Sequence, residues 1–427
     1  MTIVVFLTSL LGAMALGMPI AFALIVCALA LMLWLGNFDS QIVAQNMIIG
    51  ADNFQLLAVP FFLLAGELMN VGGLSKRIVN FALACLGHIH GGLGYVAIVA
   101  ALILAALSGS AAADTAALAA ILIPMMRNAG YDIPRAAGLI AAGGIIAPVI
   151  PPSIGFIVFG VAANVSISQL FLAGVAPGIM MGLSLVVAWA IVSRRDKMKT
   201  APRTTMRERG KAFVDGFYAL LMPVMILGGI KWGIVTPTEA AVLAAVYALI
   251  IGMFVYRELK PSMLYGVFLT AAKTTAVVMF LVAAALVSAW LITQANIPGE
   301  ISGLIEPLLG NKTLLMFALM FLVVIVGTAL DFSPTVLILT PVLMPIVKQA
   351  GIDPVYFGVL FIINNAIGLI TPPVGIVLNV VSGVARVPMG AVIRGVNPFL
   401  IAQLIVLFLL IIFPDLVMVP FSWLRGR

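Results

Sequence analysis

Apolar residues dominate this chain in long uninterrupted runs, such as residues 404–413, and polar residues lie mainly between the runs. A helix that crosses a bilayer needs about 20 consecutive apolar residues, whereas the strands of a membrane barrel alternate apolar with polar positions. Inside lipid the backbone must also satisfy its own hydrogen bonds, and a helix does so within a single run. The pattern therefore predicts an all-α polytopic membrane protein.

The positions of the runs predict ten crossings and two incomplete, re-entrant hairpins. The crossings of the first half are 3–35, 56–71, 93–106, 136–163 and 170–192, and those of the second half are 217–232, 239–256, 274–293, 355–384 and 399–419. The hairpins are 107–127 and 313–348. Each half thus has five spans and one hairpin.

Composition excludes a soluble globular protein. Of the 427 residues, 63% are hydrophobic and 9% charged, against about 25% charged in a soluble domain. The net charge of +7 comes from basic residues between the spans, so membrane topology explains it without nucleic acid. The two cysteines and two histidines form no metal-ligand pattern, and no resident cofactor is predicted.

A basic segment, 193–215, separates a first half (1–192) from a second half (216–427). It carries eight Lys and Arg residues, which predicts a cytoplasmic linker. Five spans on each side then place both termini on the outer side of the membrane. Of the other basic residues, Arg257 and Lys260 would lie inside, whereas Lys76 and Arg77 would lie outside.

The two halves resemble each other at an offset of 221 residues. "IPMMRNAGYDIP" from Ile123 matches "MPIVKQAGIDPV" from Met344, and "GIIAPVIPPSIG" from Gly144 matches "NAIGLITPPVGI" from Asn365. An odd number of spans per half makes such repeats inverted, an arrangement common in secondary transporters.

Chemistry concentrates in two kinds of irregular segment. "LSGSAAADT" from Leu107 and "GTALDFSPT" from Gly327 each place a carboxylate, Asp114 or Asp331, at the tip of a hairpin at membrane depth. Intramembrane ionisable groups are expensive and usually functional. "APVIPPS" and "LITPPVG" break two long helices, and each double proline frees carbonyls that can bind a cation such as Na⁺. The half-helix that follows presents a positive N-terminus to a substrate carboxylate.

At these segments the chain resembles the large membrane subunit of tripartite ATP-independent periplasmic (TRAP) transporters of the dicarboxylate and sialic-acid uptake type. The resemblance is carried by "PFFLLAGELMN", "IPPSIGFIVFG", "TPTEAAVLAAVYALIIGMFVYREL" and "GLITPPVGIVLNV". It implies an elevator-type fold in which a transport domain slides against a scaffold. It also implies Na⁺ as the coupling ion, a small four-helix membrane subunit and a periplasmic substrate-binding protein.

The resemblance further implies site residues. The cation-binding turns fall on Ser108, Ser110, Ala147, Ile150 and Pro152 in the first half, and on Gly327, Leu330, Gly368, Thr371 and Val374 in the second. Asp114, Ser153 and Asp331 line the substrate chamber. Because the first break has Ala147 where the second has Gly368, the two sites are expected to differ.

The sequence leaves other functions open. A standalone Na⁺/carboxylate symporter of the same fold would need no partner. An intramembrane enzyme would need a convergent catalytic set, and only the pair Asp114 and Asp331 could be imagined as one. Sialic acids and C4-dicarboxylates both fit as the organic acid.

Overall fold

The computed structural model describes residues 2–194, 203–297, 299 and 308–426, and the elements within them are helical, as the apolar runs predict. Eight of the described helices are long and apolar enough to cross a membrane. Residues 195–202 of the basic linker, with Arg195, Lys197 and Lys199, lie outside the described residues, as does Arg427.

Ten α-helices lie in the described residues of the first half. They are α1 Thr2–Ala15, α2 Ile20–Trp34, α3 Ser40–Ala51, α4 Ala58–Val71, α5 Leu74–Leu86, α6 Gly92–Ser108, α7 Ala111–Asn128, α8 Ile133–Gly144, α9 Ile154–Ala163 and α10 Ile167–Ser193. A 3₁₀ turn, Phe54–Leu57, leads into α4.

The second half contains the remaining described helices. They are α11 Met206–Lys231, α12 Pro237–Ile250, α13 Pro261–Gln294, α14 Lys312–Ala329, α15 Phe332–Gln349, α16 Pro354–Gly368, α17 Ile376–Ala385, α18 Met389–Ile412 and α19 Asp415–Arg425. The π-helical segment Ile251–Val255 continues α12. With 34 residues, α13 is roughly 50 Å long at 1.5 Å per residue.

Local sequence explains where several of these helices start. Thr236 and Glu239 form a capping box at α12, with each side chain satisfying a free N–H of the first turn. At α7 and α9 a single N-cap bond is present, since the hydroxyls of Ser110 and Ser153 each accept from one N–H of the first turn, and the carboxylate of Asp331 caps α15. The polar residues at the irregular segments therefore also terminate helices.

Three predicted spans were wrong. Residues 399–419 do not form one helix, because α18 ends at Ile412 and α19 begins at Asp415. Residues 3–35 do not form one crossing: the chain turns at 16–19, and α1 packs against α2. The segment 93–106 is not a separate crossing either, because it corresponds to α6, which packs against α7 as the first arm of hairpin 1. Hairpin 1 therefore consists of α6 and α7 and is longer than the predicted 107–127. Hairpin 2 consists of α14 and α15, close to the predicted 313–348.

The two halves interlock through their hairpins. In hairpin 1, α7 packs against α17, and in hairpin 2, α15 packs against α9, so each hairpin contacts the broken helix of the other half. Arg127 near the end of α7 donates to the carbonyl of Ala385 at the end of α17, with Nη2 and O 2.7 Å apart. The broken helices form the centre of the bundle, and every residue of α16 from Val355 to Gly368 is buried.

The basic residues near α5 lie elsewhere than predicted. Arg77 forms an ion pair of 2.7 Å with Glu258 and stacks over the ring of Tyr256, 3.7 Å from the ring centroid. Lys76, Lys211 and Asp215 line the same cleft. Lys76 and Arg77 therefore share one end of the bundle with Glu258 and the end of the basic linker, and their assignment to the opposite side was wrong.

Candidate functional site

The tip of hairpin 1 is a tight turn closed by polar side chains. Gly109 has φ +63°, a left-handed conformation that glycine adopts without strain, and it ends α6. The hydroxyl of Ser108 donates to Oδ1 of Asp114 over 2.5 Å and accepts from the backbone N–H of Ser110 over 3.1 Å. Asp114 is only 2% exposed. The turn thus holds a buried carboxylate against the first turn of α7.

The first break packs directly onto this tip. A Cβ on Gly109 would lie 2.8 Å from the carbonyl oxygen of Pro152, so the two backbones are in close contact. Ser153 donates to the carbonyl of Pro148 over 2.5 Å and accepts from the N–H of Phe156 over 3.1 Å. Pro151, Pro152 and Ser153 are all buried.

The tip of hairpin 2 is built differently. Asp331 accepts from the N–H of Phe332 over 2.7 Å, and its backbone carbonyl accepts from the hydroxyl of Thr335 over 2.9 Å. The side chain of Asp331 is exposed, which corrects the expectation of a buried carboxylate at this tip. At the repeat offset of 221, Asp331 corresponds to Ser110 and not to Asp114, and both of these residues cap the second arm of a hairpin.

The second break also contacts its hairpin, but it is open on one side. A Cβ on Gly368 would lie 2.8 Å from the carbonyl carbon and oxygen of Gly327, so only glycine fits at this contact. The hydroxyl of Thr371 donates to the carbonyl of Ile367 over 2.8 Å. Pro372, Pro373 and Val374 are exposed, unlike their buried counterparts in the first half. The first break is therefore enclosed and the second is exposed. The two breaks differ in packing as well as in the residues Ala147 and Gly368.

All four irregular segments border one cavity of about 190 Å³. The first two residues of each of four helices line it: Ala111 and Ala112 of α7, Ile154 and Gly155 of α9, Phe332 and Ser333 of α15, and Ile376 and Val377 of α17. Leu63 of α4 with Thr274 and Val278 of α13 form another wall. Helix N-termini carry free N–H groups and the positive end of the helix dipole, which favour an anion. Side chains of Ser110, Ser153 and Asp331 cap three of the four, and the Asp331 carboxylate also lines the cavity, so a cation beside it would complete the charge balance for an anion.

Of the three predicted chamber residues, only Asp331 lines this cavity. Ser110, a predicted cation ligand, lines it as well. Asp114 and Ser153 do not lie among its lining residues, because the side chain of Asp114 bonds to Ser108 and that of Ser153 bonds to Pro148. Three of the predicted cation-ligand positions lie at a contact between hairpin and break: Pro152 against Gly109, and Gly368 against Gly327. The other predicted ligands belong either to the hairpins (Ser108 and Leu330) or to the breaks (Ala147, Ile150, Thr371 and Val374).

Sequence reasoning missed three contributors. Thr274 and Val278 face the cavity from a long apolar helix in which no residue pattern marks them. Asn365 is fully buried one turn before the break, and its Nδ2 donates to the carbonyl of Phe332 over 2.8 Å. Polar amides are unusual in an apolar run such as "FIINNAIG", and this feature of the sequence indicates a functional position.

Two helical hairpins whose tips meet two broken helices at a central cavity define the class of membrane transporters with re-entrant segments. The solved YdaH transporter of Alcanivorax borkumensis has a similar fold. Its TM-score is 0.64 at 15% sequence identity, covering 90% of this chain and 89% of that one.

Within that class, residues 7–416 match the DctM component of tripartite ATP-independent periplasmic transporters. The chain is 55% identical over 425 residues to the 2,3-diketo-L-gulonate TRAP transporter large permease YiaN of Escherichia coli, covering 100% of both. It is 40% identical to the sialic acid TRAP transporter large permease SiaM of Vibrio cholerae, covering 95% of both. It is 39% identical to the C4-dicarboxylate large permease DctM of Pseudomonas aeruginosa, covering 88% of both. The chain belongs to this family, as a TRAP transporter large permease.

Proposed function

We propose that this permease is the large subunit of a secondary active transporter that couples Na⁺ entry to the import of an organic acid. The observation that carries the proposal is the cavity at which two hairpin tips and two broken helices converge. Freed carbonyls at the breaks suit a hard cation, and the helix N-termini beside them suit a carboxylate. An anion and its coupling cations would therefore bind next to each other.

The substrate class follows from the cavity and the relatives together. The lining residues include no Lys, Arg or His, so backbone N–H groups and bound Na⁺ would compensate a carboxylate. Permeases of 2,3-diketo-L-gulonate, sialic acid and C4-dicarboxylates are among the relatives, and each of these substrates carries a carboxylate. A sugar acid is the first substrate to test because the relative named for diketogulonate shares 55% of its residues.

An elevator movement is supported by the position of the cavity. Its walls come partly from the hairpins and broken helices and partly from α4 and α13. If the former group moves as a transport domain against the latter, substrate and cations cross together. The small four-helix subunit would stabilise the scaffold in the inner membrane, and a periplasmic protein would deliver the substrate.

The test is uptake into proteoliposomes that contain the large and small permeases, with the binding protein added outside. We expect uptake of a sugar acid to require an inward Na⁺ gradient and the loaded binding protein. Equal uptake in choline buffer would refute Na⁺ coupling. Na⁺-driven uptake without the binding protein would instead favour the alternative, a standalone Na⁺/carboxylate symporter.

A further inference from the structure

Asn365 has one amide atom with a partner and one without. Its Nδ2 donates to the carbonyl of Phe332, the first residue of α15, over 2.8 Å. Its Oδ1 is buried and has no hydrogen-bond partner among the described residues. If the Asn365 amide were flipped by 180°, Oδ1 would face the carbonyl oxygen of Phe332, and two acceptors cannot hydrogen-bond to each other. The bond from Nδ2 to Phe332 therefore keeps Oδ1 pointing away from Phe332. A buried acceptor left unpaired is costly, which calls for a ligand at this atom.

The unpaired oxygen lies at the contact between hairpin 2 and the second break. A Cβ on Gly327 would lie 3.0 Å from Asn365 Oδ1, and a Cβ on Gly368 would lie 2.8 Å from the Gly327 carbonyl. Gly327 and Gly368 are two of the backbone positions expected to hold the second cation. The amide oxygen therefore faces this site from the buried side.

We propose that the Asn365 side chain is a ligand of the cation at the second site and connects that cation to the tip of hairpin 2. Oδ1 binds the ion, and Nδ2 holds the carbonyl of Phe332, whose residue lines the substrate cavity. A cation on the oxygen withdraws electron density from the amide and strengthens the N–H donor. Ion binding thereby tightens the hydrogen bond that positions the hairpin tip. The inference rests on the proposed Na⁺ coupling.

The first half cannot provide the same ligand. At the repeat offset, Asn365 corresponds to Gly144, where a Cβ would lie 1.8 Å from Oγ1 of Thr115. No side chain fits there, and the first hairpin tip is held instead by the bond between Ser108 and Asp114. The two cation sites thus differ in chemistry, and only the second includes a side-chain amide.

Thermal unfolding against Na⁺ concentration tests the assignment, with the full chain purified together with its small permease and choline chloride keeping ionic strength constant. We expect Asn365→Ala to raise the Na⁺ concentration for half-maximal stabilisation by at least about tenfold, since even outer-shell partners of a metal contribute that much to its affinity. Asn365→Asp keeps an oxygen at the site and should retain the Na⁺ response. Asn364→Ala is the matched control, because the neighbouring amide donates to Met320 in α14.

The outcomes separate the inference from the proposed function. A native chain without any Na⁺ response would remove the coupling proposal and this inference with it. A normal native response together with an unchanged midpoint in Asn365→Ala would overturn the inference alone and leave the amide as a structural clamp. If Asn365→Ala does not fold, Asn365→Asp decides: a retained Na⁺ response supports the ligand, and its loss overturns it.

Discussion

The hydroxyl of Ser108 donates a 2.5 Å hydrogen bond to Oδ1 of Asp114 across the tip of hairpin 1. The other carboxyl oxygen, Oδ2, has no hydrogen-bond partner among the described residues, although Asp114 is 2% exposed. The hydroxyl proton of Ser108 points to Asp114 and one lone pair accepts from the N–H of Ser110, so one lone pair of the oxygen is left that could face a cation. A cation bound at the first predicted site would stabilise the ionised form of this buried carboxyl group.

We therefore expect Asp114→Ala to reduce Na⁺-driven uptake at least tenfold (about 1.4 kcal/mol), because Ser108 loses its acceptor and the site loses a carboxyl group. Asp114→Asn keeps an acceptor for Ser108 and should fold, with a weakened Na⁺ dependence. Thr115→Val is the control: this neighbouring hydroxyl is buried and unpaired, so its removal should leave thermal stability unchanged or improved. Native Na⁺ dependence in Asp114→Ala would show that the carboxylate plays no part in the site.

Asp331 has two possible roles, and three substitutions separate them. As a helix cap it contributes about 1 kcal/mol, and Asn or Ser can cap equally well. As a charged group at the cavity it cannot be replaced by either. We expect Asp331→Asn, Asp331→Ser and Asp331→Ala all to abolish uptake, while the first two melt at the native temperature. Full uptake by Asp331→Asn would reduce the residue to a cap.

Gly368 should tolerate no side chain. In Gly368→Ala the added Cβ meets the backbone of Gly327 at 2.8 Å, so hairpin 2 must move away from the break. We expect loss of uptake and a weaker Na⁺-dependent shift in melting temperature. Gly383→Ala in α17 is the matched control because no atom lies within 4 Å of its Cβ, and a helical Ala should stabilise slightly. Equal behaviour of the two variants would contradict the close contact.

Ala147→Gly makes the reverse change at the corresponding position of the first break. Ala147 is buried and already accommodates its Cβ. The substitution should cost roughly 1 kcal/mol of stability, as replacement of a buried Ala by Gly usually does, and should preserve uptake. A melting curve and an initial uptake rate measured side by side are sufficient to check it.

The membrane side of α5 can be tested by cysteine labelling. The native cysteines, Cys27 and Cys85, are first replaced by Ala. Because Lys76 and Lys211 line one cleft, Lys76→Cys and Lys211→Cys should react with a membrane-impermeant reagent from the same side. We expect that side to be the cytoplasm, shared with Thr200→Cys, while Lys348→Cys reacts from the periplasm. Labelling of Lys76→Cys and Lys211→Cys from opposite sides would contradict the arrangement.

The sequence alone determined three properties: that lipid surrounds most of the chain, that the chain is helical, and where its irregular segments lie. A long apolar run predicts a membrane helix by itself, because the free energy of transferring each apolar residue from water to lipid depends little on the rest of the fold. The double prolines at 151–152 and 372–373 and the polar tips near Ser108 and Asp331 interrupt helices for equally local reasons. Hairpin 2 was therefore located within a few residues.

Only the tertiary structure decided which polar atoms are buried and what they face. Asp114 and Asp331 both lie at the tip of a predicted hairpin, yet the side chain of Asp114 is enclosed beside Ser108, whereas that of Asp331 is exposed and caps α15. The partnership of Arg77 with Glu258 and the position of Asn365 beside Gly327 join segments far apart in the chain. Such contacts depend on how whole helices pack against each other. The pattern of side chains along one helix does not show which residue of another helix will lie beside it.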